Sequence, residues 1–593
     1  MLKDSQTMLK TSYEYTKHAR GALLTLSAML CVTFILVVIA FSTPAAAQSG
    51  AATRVPPTLL PSNVPPTSVP LGASALAKIL VNKDHPHLTI GILFNAKPFA
   101  ALDDSGQVVG FEADIGRAIA QDWGLSDADQ QTLFRQVTRQ NEIDLLMNGQ
   151  IDLLMGKVIH TRAADETLDF SDSIFVNHEV ALTLATSPKR DIADLAGQTI
   201  GVVAGSAAEQ AVAEWQKQTG TQATIKRLSM FDEGIKALAA AQIDALVDDR
   251  WSLDARVRGA IAGVKLLTGS FRDEPYAIAM RPHDDNLRIL VNRTLQHLAK
   301  TERFAKLYAE SFSKADLPPD QYTIPIPWVG LDDDKRAITD FSTDLLLPAQ
   351  PVLARLSAQK VLRVAGVGNP DATGKYSLLD TFDQALITEM AQRWKVTPQF
   401  IPDSAGKGED MVASGAADLA VGVEPHWGSV DRVDFVGIYA THGYRLMVPV
   451  GRTINNFADL LATNRWVGVF ANDPAAFPTA EKLAKSAGVL NLKKLEINSD
   501  DDIMQDIASQ NVNVIFGDSL RLVPYANANP KLAKLTDKQY TSNPIAFAVP
   551  RNDSDFRARV DETLQDMAHD GFYQKLWKDQ FNVGDPLPIG YWP

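Results

Sequence analysis

Apolar and polar positions along this chain switch repeatedly between a period of two and a period near 3.6. Leu88-Thr89-Ile90-Gly91-Ile92 alternates its faces and predicts a strand. The next stretch, V-G-F-E-A-D-I-G-R-A-I-A-Q-D-W at 109–123, sets Phe111, Ile115, Ala118 and Ile119 at i, i+4, i+7 and i+8. That is the apolar stripe of a helix, with Glu112, Asp114, Arg117 and Gln121 facing away. The pattern then predicts a helix at 142–148, a buried strand at 151–155, a loop at 156–164 and a crossing strand at 180–184. A second group follows: a strand at 195–203, helices near 208–218 and 231–241, and a strand from Ile243. A second crossing strand at 277–280 and helices over 286–311 close the unit. Such alternation predicts α/β layers with mostly parallel sheets, which bind ligands beyond the carboxyl ends of their strands.

The unit comes back. Thr381-Phe382-Asp383-Gln384-Ala385-Leu386-Ile387 repeats the aromatic-acidic helix start, with Phe382 lying 271 positions after Phe111 (382 − 111). Leu168-Asp169-Phe170 answers to Val433-Asp434-Phe435 at an offset of 265, and Ile200-Gly201-Val202 to Val467-Gly468-Val469 at 267. Residues 243–249 answer to 512–518 at 269, as do Thr294-Leu295 to Thr563-Leu564 and Lys306-Leu307-Tyr308 to Lys575-Leu576-Trp577. A nearly constant offset marks a tandem duplication, and each unit of roughly 240 residues is a domain in its own right rather than a solenoid repeat.

Composition narrows the picture further. The 593 residues carry a formal charge of −13, without the clustered Lys/Arg face that nucleic acid needs. The single cysteine, Cys31, lies inside the most apolar stretch, so neither repeat has a disulfide, a Cys-based zinc site or a thiol nucleophile. Lys3, Lys10, Lys17 and Arg20 precede the apolar run 21–41, and Ala45 and Ala47 suit a signal peptidase. Residues 1–47 therefore read as an export signal cleaved after Ala47, or as a membrane anchor through 21–41. Residues 48–74, with Pro56-Pro57 and Pro65-Pro66, read as an extended linker. A bridge holding Pro318-Pro319, Pro325 and Pro327 separates the repeats, which gives units at 75–318 and 357–593 joined by a linker at 319–356.

With these motifs in order, the chain resembles the bacterial extracellular solute-binding proteins of family 3, the periplasmic polar amino-acid-binding type. The signature Gly-Phe-acid-x-acid-aliphatic fits Gly110 to Ile115, and Phe170-Ser171-Asp172, Gly201-Val202-Val203-Ala204-Gly205-Ser206 and Asp244 to Asp249 follow in the family's order. The resemblance implies two tandem Venus-flytrap units of type II, each with two α/β lobes that close on a small solute.

The resemblance also implies where ligand groups would stand. The arginine that grips a ligand carboxylate falls on Ala164, with Arg162 two positions early on the same loop as Lys157 and Thr161. The stacking aromatic falls on Ala96 and the first-loop acid on Leu93, which leaves Phe94 and Phe99 as the nearest rings. Gly205-Ser206 stands at a helix start, fit either to hold an anion or simply to cap the helix. Asp249 holds the place of the carboxylate that receives an ammonium, with a surface acid paired to Arg250 as the alternative. In the second repeat Ser429 replaces the arginine, Asn472-Asp473 replaces Gly-Ser, and Asp518 keeps the acid. Glu424, His426 and Trp427 occupy the lining loop there, so that cleft suits a cation or a neutral polar ring, or is a degenerate copy.

The expectation is a periplasmic solute-binding protein for a small polar solute such as an amino acid, serving an inner-membrane ABC permease or a membrane sensor. The alternative is an accessory protein whose clamshell binds a periplasmic protein. No metal or cofactor is expected. His426 has no second ligand at metal spacing, His85-Pro86-His87 is a weak signal, and no catalytic order of Ser, His and Asp stands out.

Overall fold

The structure is a computed structural model that describes residues 74–81, 87–125, 133–251, 253, 263–312, 338–339, 345, 348, 350–403, 406–509, 511–582, 586–587 and 589. The export segment, the linker at 48–73 and most of the linker at 319–356 lie outside the described residues, as do His85 and Pro86. Among the described residues no helix is long and apolar enough to cross a membrane.

Among the described residues, the main sheet of repeat one has nine strands. They are β1 (Ile90–Ile92), β2 (Phe134–Gln136), β3 (Leu153–Leu154), β4 (Asp169–Leu184), β5 (Thr199–Val203), β6 (Thr224–Leu228), β7 (Ala245–Asp249), β8 (Val264–Leu266) and β9 (Arg272–Met280). Their spatial order is β2-β1-β3-β9-β4-β7-β5-β6, with β8 also on β4. Parallel trios, β2-β1-β3 and β7-β5-β6, lie at the two ends, and the antiparallel β4 and β9 run between them. Strand β4 pairs with β9 from Asp169 to Glu179 and with β7 and β8 from Glu179 to Leu184, so one strand belongs to both lobes. The crossing strands are thus longer than the sequence pattern predicts, since β4 begins at Asp169 and β9 at Arg272.

Repeat two has the same strand order in two sheets of five. The first is β11 (Thr397–Phe400), β10 (Val361–Ala365), β12 (Leu419–Val423), β19 (Asn543–Pro550) and β13 (Val433–His442). The second is β16 (Lys493–Ile497), β15 (Trp466–Phe470), β17 (Val514–Asp518), β14 (Tyr444–Pro449) and β18 (Ala533–Gln539). Here the counterpart of β4 is broken at Gly443 into β13 and β14. A Cβ at Gly443 would lie 2.0 Å from the Thr541 carbonyl oxygen, so the close approach that splits the strand requires glycine.

Helices cover both faces. Helix α1 (Phe111–Asp122), α2 (Ala207–Thr219), α3 (Asp285–Lys300) and α4 (Arg303–Ser311) belong to repeat one, and α5 (Leu378–Trp394), α6 (Ser554–His569) and α7 (Phe572–Gln580) to repeat two. The stripe Phe111, Ile115, Ala118 and Ile119 is buried as expected, and Phe111 packs edge-on against Phe304, Tyr308 and Phe312 of α4 and its end. Phe382 meets Tyr573, Trp577 and Phe581 in the same way, all three 269 positions on. Glu112 departs from the expectation. It is 1% exposed, because its carboxylate accepts the Lys157 backbone N–H at 2.7 Å instead of facing solvent. Its counterpart Asp383 accepts the Tyr439 hydroxyl, which in turn accepts the Gly422 N–H. Lys157 and Gly422 stand at equivalent places with φ of 58° and 68°, so each buried acid steadies the left-handed turn that opens the lining loop.

Both repeats belong to one compact unit. They meet through α3 and α6 in a reciprocal arrangement. Arg288 of α3 pairs with Asp285 and with Asp434 of β13, while Arg557 of α6 pairs with Asp169 of β4 at 3.0 Å. Arg557 is the counterpart of Arg288 at 269, and Asp434 that of Asp169 at 265. Each repeat therefore offers the same patch to the other, as two subunits do across a twofold axis.

Candidate functional site

Where β4 and β9 pass between the lobes of repeat one and meet the end of β7, the sequence gathers acids. Glu179 opposes both Asp249 and Arg272 in register. Glu274 accepts from Arg272 at 2.7 Å and from Asn177 at 3.0 Å. Burial, with Glu274, Asp249 and Asp248 nearby, pushes the Glu179 carboxyl up to about 9, and its Oε2 lacks a hydrogen-bond partner among the described residues. Tyr276 stands in the same group. Its hydroxyl is held well above its ordinary range by burial and then by Asp249, Glu274 and Glu179. From the other lobe, the Lys157 ammonium lies 5.7 Å from the Tyr276 ring centroid and 5.6 Å from that of Phe99. A cation of one lobe and an acid of the other thus converge on one tyrosine. Such a place can hold an ammonium against carboxylates and a carboxylate against Lys157.

Other residues expected at this ligand stand elsewhere. Phe99 is 1% exposed, with its ring among Phe175, Tyr276 and Phe312, so it belongs to the core rather than to a ligand face. Phe94 is half-buried against that core. The Thr161 hydroxyl accepts the Ala164 N–H and closes a local turn. Arg162 points away from the cleft. It reaches Asp566 at 2.6 Å, the Glu562 carbonyl at 3.2 Å and Gln565 at 3.3 Å, all on α6 of the other repeat. Ser206 caps α2 by accepting the Glu209 N–H. The Gly205 N–H donates to the Glu209 carboxylate at 2.8 Å, so the chain supplies its own anion at that helix start. Trp251, just beyond Asp249, packs edge-on to Phe99 and Phe312 of the opposite lobe and was not singled out by its position in sequence.

The cleft of repeat two is organised around a residue that the sequence pattern left unremarked. His442 ends β13, with Nδ1 at 2.7 Å from Asp518 of one lobe and Nε2 at 2.9 Å from Glu424 of the other. These two carboxylates outweigh burial and push the imidazole up to about 9, so it is an imidazolium at neutral pH. Asp518 also caps its helix by accepting the Leu520 N–H. Asp473 is likewise engaged, accepting the Tyr444 hydroxyl at 2.8 Å and the Ala476 N–H at 3.1 Å. His426 bonds Ser429 and Glu409 within its own repeat. Trp427 leaves the cleft: it is 6% exposed, clustered with Ile289 of repeat one, and has Arg293 of α3 at 5.3 Å over its ring. Since 427 − 162 is 265, Arg162 and Trp427 are equivalent positions, and each loop latches onto the other repeat's helix. The offsets mark the two positions as equivalent, but the contacts that each makes with the other repeat come from the structure.

The sequence matches the bacterial extracellular solute-binding proteins, family 3, over residues 88–314 and again over 379–583. It is 28% identical over 231 residues to the ABC transporter glutamine-binding protein GlnH of Bacillus subtilis, covering 38% of this chain and 81% of that protein. It is 24% identical over 279 residues to the glutamate/aspartate import solute-binding protein of Escherichia coli K12, covering 46% and 89%. Among solved structures, an ancestral arginine-binding protein bound to arginine is 28% identical, with a TM-score of 0.31 and coverage of 38% of this chain and 98% of its own.

Proposed function

The chain belongs to the bacterial extracellular solute-binding proteins, family 3, and from that premise we propose that repeat one closes on a small zwitterionic solute, an amino acid or a near relative. The observation that carries this reading is the meeting of Lys157 and Asp249 from opposite lobes around Tyr276. Lys157 takes the carboxylate in place of the arginine that position 164 lacks, and Asp249 with its neighbouring acids takes the ammonium. Contacts to both lobes exist only when the lobes are shut, so the solute shifts the population toward the closed form. That form is what an importer permease or a membrane sensor would read, and the relatives named for glutamine and for glutamate/aspartate import favour the importer.

Repeat two carries a second reading. His442 fills the place between its lobes with the chain's own cation, which favours a body held shut that docks a protein rather than a solute. A thermal-shift screen of the purified chain against amino acids tests the two readings together. Stabilisation by an amino acid that disappears in Asp249→Asn and in Lys157→Met, but persists in Asp518→Asn, is the expected result. No stabilisation by any amino acid would sink the solute reading for repeat one.

A further inference from the structure

A cavity of about 440 Å³ lies at the join between the repeats, and Pro425 and Thr441, the chain neighbours of Glu424 and His442, are on its wall. Its wall is made from matched positions: Phe170 with Phe435 and Ser173 with Ile438 at 265, and Arg288 with Arg557 and Gln296 with Gln565 at 269. The cavity therefore sits on the approximate twofold axis that relates the two units. Trp427, Ile289 and Leu564 supply apolar surface, and Asp172 from β4 and Asp561 from α6 supply a carboxyl from each repeat.

Charged groups crowd this space. Asp172, Asp434 and Asp561 line it, with Asp169 and Asp285 directly behind, against the guanidinium groups of Arg288 and Arg557. Arg551 adds a third positive charge, held by Asn286. Two further guanidinium groups stand at the edge of the same wall, Arg162 on Gln565 and Arg293 over Trp427. Both guanidinium groups that line the space are already committed, Arg288 to Asp285 and Asp434, and Arg557 to Asp169. His160, also on the wall, is taken by Asp165 at 2.8 Å. Asp172 has only long side-chain contacts, 3.4 Å to Asn292 and 3.4 Å to Gln296. Burial pushes its carboxyl up to about 6, and burial likewise raises that of Asp561. Gln296 is 2% exposed, and its Oε1 has no hydrogen-bond partner among the described residues. Asp172 and the Gln296 Oε1 both face the space without a close donor among the described residues.

We propose that this cavity is a binding site for a small organic amine with a short apolar body. One ammonium is held by Asp172 and Gln296, and in a diamine a second is held by Asp561. An alkyl chain of a few carbons fits the volume and lies along Ile289, Ile438 and Leu564. Because the walls come from both repeats, an occupant ties the two units together.

The test is calorimetric titration and thermal shift of the full chain with butane-1,4-diamine, pentane-1,5-diamine and butylamine, and with butane-1,4-diol as the uncharged control. Saturable binding of an amine with a rise of several degrees in Tm, and none with the diol, is the expected result. Asp172→Asn should weaken binding roughly tenfold or more, the loss of a charged hydrogen bond. Asp561→Asn should weaken the diamines more than butylamine. Ile438→Trp, which fills the space from its apolar side, should abolish the response in a folded protein. No amine binding, or binding that survives Asp172→Asn and Ile438→Trp, overturns the proposal. Loss of binding with Asp249→Asn alone overturns it too, since the amine would then sit in the first cleft.

Discussion

His442 is the residue on which the second cleft turns. Its folded value of about 9 lies above the ordinary 6.5, so the stability it contributes is complete below about pH 6.5 and is lost as pH rises through 9. The full difference is of the order of 3 kcal/mol, at about 1.4 kcal/mol for each tenfold gain in proton affinity. Denaturant unfolding of the wild type between pH 6 and 10 should show that loss, and His442→Gln should flatten it. A wild-type profile that is flat over this range would remove the lock. Glu179 acts in the opposite sense. Its raised carboxyl keeps a proton that the unfolded chain gives up above about pH 4.5, so it costs stability increasingly as pH climbs. Glu179→Gln should therefore stabilise the protein at pH 8 by several kcal/mol, on the order of 5 at about 1.4 kcal/mol for each pH unit above 4.5, measured by the same unfolding curves. Neither residue was legible beforehand. Periodicity sorts residues by face, and a charged group on a strand between two lobes is buried by the second lobe, which no local pattern records. Glu112 misled for the same reason: helical spacing turned it outward, but the loop at Gly156-Lys157 covers it.

At the scale of elements, the reciprocal pairs on α3 and α6 hold the repeats together. Arg288 is 4% exposed and Asp434 is 4% exposed, so Arg288→Ala leaves Asp434 and Asp285 buried with their cation gone. The expected cost is about 3–5 kcal/mol. Arg288→Met combined with Asp434→Leu should cost less than Arg288→Ala alone, and a double-mutant cycle on calorimetric unfolding separates the two outcomes. Arg162→Ala, whose partner Asp566 is half exposed, should cost about 1 kcal/mol or less. The elements themselves were largely readable. The period-two and 3.6 stretches fall on β1, α1, β5, α2 and β7, and the duplication is written in the offsets. The length of β4 was not readable, because its middle carries Asn177, His178 and Glu179, polar residues that alternate with neither face of a simple sheet. The break at Gly443 depends on contact with Thr541, about a hundred positions away, and so lies beyond any local pattern.

At the scale of the whole molecule, the two repeats differ in what stands between their lobes: Lys157 and Asp249 about Tyr276 in the first, and His442 between two carboxylates in the second. The expected ligand residues divide along that line. Lys157, Asp249, Glu424 and Asp518 stand between lobes, whereas Arg162 and Trp427 stand between repeats. Family position alone could not separate these two fates, because the lining loop is long enough to reach either the cleft or the neighbouring repeat. The proposed zwitterion belongs to repeat one alone. The direct measurement is isothermal titration of the full-length protein with the amino acid that stabilises it most. One molar equivalent, lost in Asp249→Asn and kept in Asp518→Asn, is the predicted result. Two equivalents, or one equivalent lost with Asp518→Asn and kept with Asp249→Asn, would contradict it.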